Sequence, residues 1–134
     1  MAKISGKGWT TLTVDNSGGS SNTDIRNDVT EFDFATPRGV QDITGVDKSA
    51  IERLLLLSDF SINLKGVFNA STSHGVFKTV SSSDATRTVA LGIASQTLSN
   101  ECVFTDYALA RAASGEFTWS APGVLADGAT PTWS

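Results

Sequence analysis

The sequence predicts a mainly β chain, a β-sandwich or split barrel of antiparallel strands with one flanking α-helix at about residues 48–57. Three observations carry this. Short runs alternate apolar and polar residues with period two, stretches rich in Gly, Asn, Asp, Ser and Pro separate them, and one segment alone combines helical spacing with a capping signal. At 134 residues and 14.0 kDa the chain suits a single domain, 1–134. A domain of this size buries roughly 65–70 % of the surface its unfolded form exposes, so one core suffices without staples.

"GWTTLTV" alternates as a strand from Trp9 to Val14, and "DNSGGSSNTD", Asp15 to Asp24, is turn and loop chemistry. "VTEFDFA" again has period two, with Thr30, Phe32 and Phe34 on one face and Val29, Glu31 and Asp33 on the other. "TPRG" then turns the chain into "VQDITGV", which predicts a hairpin over 29–46 whose tip carries Pro37 and Arg38. In "DKSAIERLLLLSD" either Asp47 or Ser49 can cap a helix, and Ser49 with Glu52 fits a capping box. At 100° per residue Ala50, Ile51, Leu54, Leu55 and Leu57 form one stripe, with Leu56 opposite them. Leu56 has two readings, an ordinary exposed leucine or a residue docked on a neighbouring subunit.

"FSINLKGVFN" sets Phe60, Ile62 and Leu64 against Ser61, Asn63 and Lys65, a strand with one wet face. "TSHGVFKTV" fits a helical turn or a loop equally. "TRTVALGIA", "NECVFTDYALARA" and "GEFTWSA" are further strands, the last two joined through Ser114 and Gly115. Tyr107, Leu109 and Arg111 alternate there with Ala108, Ala110 and Ala112. A face this small admits close approach of a second layer, either a helix of the same subunit, the commoner arrangement and the one expected, or the sheet of a neighbouring copy.

Ten Lys and Arg against fourteen Asp and Glu leave a net charge of −4, with the bases scattered singly. Nucleic-acid binding needs clustered cations, and that footprint is missing. The single cysteine, Cys102, lies in an apolar run and reads as a small buried hydrophobe. The N-terminal stretch lacks an apolar run of signal-peptide length, and no segment reaches the roughly 18 apolar residues of a membrane span, so a soluble protein made in a cytoplasm is expected. One histidine, His74, and one cysteine do not make a metal site, no serine sits in G-x-S-x-G, and "SGKG" at Ser5 to Gly8 lacks phosphate-loop spacing. No catalytic, metal-binding or cofactor-binding residue is therefore assigned. Trp9, Trp119 and Trp133 leave a carbohydrate-binding module as a competitor, although Trp119 alternates in register with Phe117 as core residues do. Trp9 and Trp133, near the chain ends, would pin those ends to the body or dock them on another molecule.

The order of pieces, a strand, a tip with Pro and Arg, "DITGVDKSAIERLL", "LSDFSINLKGVFN" and a closing "TDYALARAASGEFTWSAPGVLADGATPTW", resembles the major tail tube proteins of long-tailed, non-contractile bacteriophages. The likeness covers nearly the whole chain and is weakest from Thr72 to Asp84. It implies a non-enzymatic structural protein of the virion tail, made in the bacterial host cytoplasm, whose six-membered rings stack into a hollow tube for DNA. Within the single domain, the short N-terminal segment 1–8 and C-terminal segment 122–134 are candidates for ordering on assembly. Implied partners are copies of itself and the tape measure, tail terminator and tail tip proteins, with DNA passing unbound and no membrane. Another virion ring or decoration protein, such as a tail terminator or capsid decoration protein, is the alternative within the same particle. Candidate interface residues are Pro37, Arg38, Gly39 and Leu56, with Trp9 and Trp133. Transit past a wall without cation clusters makes Glu31, Asp33 and Asp42, then Glu101 and Glu116, the candidate lumen residues.

Overall fold

The computed structural model describes residues 3–16 and 22–134. Its strands are β1 (Trp9–Asp15), β2 (Asn22–Asp24), β3 (Val29–Ala35), β4 (Arg38–Asp42), β5 (Arg53–Ser58), β6 (Ser61–Val67), β7 (Arg87–Ile93), β8 (Gln96–Phe104), β9 (Ala108–Arg111) and β10 (Phe117–Leu125). A five-residue helix, α1 (Ser73–Phe77), lies between β6 and β7. The antiparallel sheet runs β2-β1-β7-β8-β10-β6-β3, with β9 beside the first half of β10 and β8 beside its second half. Of the Asp15 to Asp24 stretch predicted as loop, Asp15 ends β1, Asn22–Asp24 form β2, and residues 17–21 lie outside the described residues.

Alternation places the core on one face of this sheet. Leu12 and Val14 in β1, Val89 and Leu91 in β7, Leu98, Cys102 and Phe104 in β8, Trp119 and Ala121 in β10, and Ile62 and Leu64 in β6 all turn inward. Their neighbours in sequence form the opposite, outer face, where Thr13, Asn63, Thr88, Ser99 and Ser120 stand among Ala90, Val103 and Pro122 and the charged Lys65 and Glu101. The sheet curls until its two ends approach without hydrogen-bonding into a barrel. A bulge after Trp9 turns its indole inward, where it meets Phe32 edge-on at 5.0 Å and Phe34 at 6.0 Å on β3. A second bulge, between Val29 and Glu31, brings Val29 against the core beside Phe32 and Phe34 instead of on the opposite face.

Helix α1 closes the core at one end. Val76 and Phe77 are buried, and the Phe77 ring lies 5.2 Å from Trp119 and 5.1 Å from Phe104. Two polar residues hold it there. The Asp28 carboxylate accepts bonds from the Thr72 hydroxyl, from Asn69 Nδ2 at 3.0 Å and from the Ser73 amide at 3.1 Å. Burial pushes the Asp28 carboxyl up, and these donors outweigh it and hold the group below its ordinary value. Arg87, 1 % exposed, donates to the Val76 carbonyl at 2.7 Å, the Asp15 carbonyl at 3.3 Å and Thr79 Oγ1 at 2.9 Å, tying α1 to β1. Gly66 marks the crossing of these parts. A Cβ there would lie 2.0 Å from the Asp28 carbonyl oxygen, which accepts the Val67 amide, and 3.0 Å from the Trp119 indole nitrogen.

Two expectations fail in 29–58. No helix covers 48–57. Residues 43–52 are loop and Arg53–Ser58 is β5, paired antiparallel with β4. Nor does 29–46 fold back as a hairpin at Pro37 and Arg38, because β3 pairs β6 and the chain runs on outward through β4. The alanine face is a third correction. Ala108 and Ala110 are exposed on the outer side of β9, and no described element of the protomer covers them. Leu109 and Arg111 take the inward side of a short strand that overhangs the core.

Candidate assembly surface

Strands β3 and β6 continue past the edge of the body as the two-stranded ribbon β4–β5, so 29–67 is one long hairpin with only its lower half in the sheet. The register passes from Ala35 opposite Ser61 to Arg38 opposite Ser58, bridged by the Asp59 amide bonded to the Pro37 carbonyl at 3.0 Å. A bulge at Leu56 and Leu57 then shifts it, and Asp42 ends opposite Arg53. Arg38 Nε donates to the Leu56 carbonyl at 2.9 Å across that bulge. At the far end Ile43 pairs with Glu52, and Thr44 clamps the turn, donating from Oγ1 to Asp42 at 2.6 Å and accepting the Glu52 amide at 2.7 Å. Hydrogen bonds from the Thr44 hydroxyl and amide hold the Asp42 carboxyl below its ordinary value.

This ribbon is apolar and bare. Val40, Ile43, Val46, Ile51, Leu54, Leu55, Leu56 and Leu57 are all exposed, Leu57 by 93 % and Val46 completely. Four candidate interface residues lie together at its base, where Pro37, Gly39, Leu56 and Leu57 flank one groove and Arg38 borders another with Leu55, Thr130 and Pro131. The leucines beyond Leu56, and Val40, Ile43, Val46 and Ile51, were not singled out for docking by sequence reasoning. Four consecutive leucines, which no half-buried strand or helix can bury together, were the available signal.

The remaining interface candidates lie elsewhere. Trp9 and Trp133 bracket Phe34 from two sides, each with its ring centre 6.0 Å away. Ser134 pairs in both directions with Thr97 at 2.9 Å, so the chain end is tied to β8 within the protomer. Trp119 is buried, its indole donating to the Val67 carbonyl at 3.0 Å.

Of the five lumen candidates, three share a surface. Glu31 and Asp33 on β3 and Glu101 on β8 project from the wet face of the sheet, linked across it by Lys65, Asn63, Ser120 and Pro122. Glu31 meets Lys65 at 3.7 Å, Asp33 accepts from Asn63 at 3.2 Å, and Glu101 accepts the Thr88 hydroxyl at 2.7 Å. Asp42 stands apart on the ribbon, and Glu116 in the turn between β9 and β10, where the Ser114 hydroxyl holds its carboxyl below the ordinary value.

A cleft of about 750 Å³ separates the ends of the curled sheet, with Trp9, Leu12, Val29 and Phe32 as apolar lining and Lys7, Asp24 and Arg26 at its rim. Asp24 and Arg26 pair at 2.9 Å, and Arg26 also donates to the Trp9 carbonyl at 3.2 Å. Among the described residues, no three His, Cys, Asp or Glu side chains gather where a metal could be held, and no helix is long and apolar enough to cross a membrane.

A chain in the tail of an empty gene transfer agent particle, determined by helical refinement with C6 symmetry, matches 98 % of this chain with 98 % of its own length, at a TM-score of 0.76 and 16 % identity. This chain has that tail protein's fold. A chain from the virion of the native gene transfer agent matches 97 % of it with 99 % of its own, at a TM-score of 0.71 and 15 % identity. No family model and no curated protein matches the sequence. The β-sandwich expected from the strand pattern and the tail-like architecture expected from the order of segments are both present, without the helix at 48–57.

Proposed function

We propose that this protein is a structural subunit of a phage-like virion tail, and that copies of it close into six-membered rings stacked as a hollow tube through which DNA passes. The ribbon carries this reading. A two-stranded hairpin alone in water is marginal, and monomeric proteins seldom expose a contiguous aliphatic surface of this kind. Eight bare aliphatic side chains on a hydrogen-bonded ribbon make sense when another molecule covers them. A second copy is the economical partner, because a heterologous contact between identical chains closes into rings or extends as a filament. The C6 tail of similar fold supports six copies per ring.

The wet face carrying Glu31, Asp33 and Glu101 is the proposed inner wall. Hydroxyl-bearing and acidic side chains, with Lys65 beside Glu31 at 3.7 Å, offer phosphates no cation cluster, so DNA slides without being held. Work of this kind is confinement and involves no bond making.

Electron microscopy and sedimentation of the purified protein over a range of concentrations test the reading. Rings and tubes of indefinite length are expected. Closed rings that never stack would instead indicate a terminator-like protein, and a monomer persisting at every concentration and salt would overturn the proposal.

A further inference from the structure

We infer that the tip of one protomer's ribbon, residues 42–52, seats in the cleft between β1 and β3 of a second copy. The inference rests on the proposed self-assembly and names the receiving surface. Three features of the tip fit that cleft. It carries the exposed side chains Ile43, Val46 and Ile51, and the cleft has an aromatic and aliphatic lining in Trp9, Leu12, Val29 and Phe32. It is acidic, with Asp42, Asp47 and Glu52 against Lys48 alone. The rim of the cleft is basic in excess, because Arg26 is matched by Asp24, while Lys7 has no ion-pair partner among the described residues.

Geometry selects a second copy over the protomer's own tip. The ribbon leaves the body beyond Ala35 and Ser61, whereas the cleft is flanked by Val29, Thr30 and Phe32 toward the opposite end of β3. Pairing from Arg38 to Ile43 keeps the ribbon extended, carrying its tip about 25 Å from Ala35 at strand rise. It therefore points away from its own cleft. The clamp at Thr44 fixes the base of the turn, which lowers the ordering that docking has to impose.

Cysteine cross-linking tests the contact on the full chain. Val46→Cys and Thr30→Cys are introduced together, and the assembled protein is oxidised with copper phenanthroline; Cys102 is buried and does not compete. A ladder of disulfide-linked multimers on a non-reducing gel is expected, with no ladder from either single variant. A product of monomer mass with neither introduced thiol left to alkylate would mean that the tip occupies its own cleft, and dimers from Val46→Cys alone would mean that tip meets tip; either overturns the inference. Rings or tubes in which Thr30→Cys still alkylates at the free-monomer rate leave the cleft open, to solvent or to a different partner, and defeat this contact while sparing the proposed function. Protein that never assembles defeats both. Lys7→Glu should slow assembly about tenfold at low salt, with the gap closing at high salt, and an unchanged rate would overturn the charge match.

Discussion

Asp28 shows how one side chain organises a region that its neighbours in sequence do not reveal. Its carboxylate supplies acceptors to the start of α1, and its main-chain carbonyl supplies one to β6. Asp28→Ala should cost about 2–3 kcal/mol at pH 7, measured by denaturant unfolding, because three donors lose a charged acceptor. Since the folded carboxyl titrates below its ordinary value of about 3.9, its contribution is complete above that pH and fades as acid is added through the folded pKa. The gap between wild type and variant should narrow over the same range. Arg87→Met keeps length and loses the donors to the Val76, Asp15 and Thr79 oxygens. A loss of about 2–3 kcal/mol is expected in the same assay. Cys102 behaves differently. Burial, with Glu101 and Asp127 adding, pushes its thiol up to about 12. It should resist alkylation at pH 8 until the protein unfolds.

Among the elements, the ribbon separates folding from association. Leu57→Asp should leave the midpoint of thermal unfolding of the monomer within about 2 °C of wild type, since the side chain contacts solvent, while abolishing rings and tubes in micrographs. This segment also marks the limit of what the sequence makes legible. Strands with one wet face, such as Phe60 to Lys65, declare themselves by alternation. "RLLLLS" does not, because this strand lies outside the body, buries neither face in the protomer and keeps no polar side. Ile51 and the leucines then satisfy a helical stripe as readily as a strand, and Ser49 with Glu52 supplies a capping signal that the loop never uses. Helix α1 escaped assignment for the opposite reason. It is too short for periodicity to register, and the residue that caps it, Asp28, lies far away in the chain. The wet face was legible residue by residue, for Glu31 and Asp33 alternate with Phe32 and Phe34. That Glu101 shares their surface depends on strand order, which local patterns do not carry.

For the whole molecule, the proposed wall has an electrostatic signature. Glu31→Lys combined with Asp33→Lys should still give tubes, because both side chains are exposed and away from the ribbon. Such tubes should hold DNA at low salt and release it as salt rises, with log affinity falling linearly in log salt concentration, whereas wild-type tubes should retain little at any salt. The ribbon leaves the body on one side only, beyond Ala35 and Ser61. Any stack of identically oriented copies joined through it is therefore polar, offering unfilled sockets at one terminus and unclaimed prongs at the other. Growth at the two termini need not proceed at one speed, and halting it would call for two dissimilar stoppers.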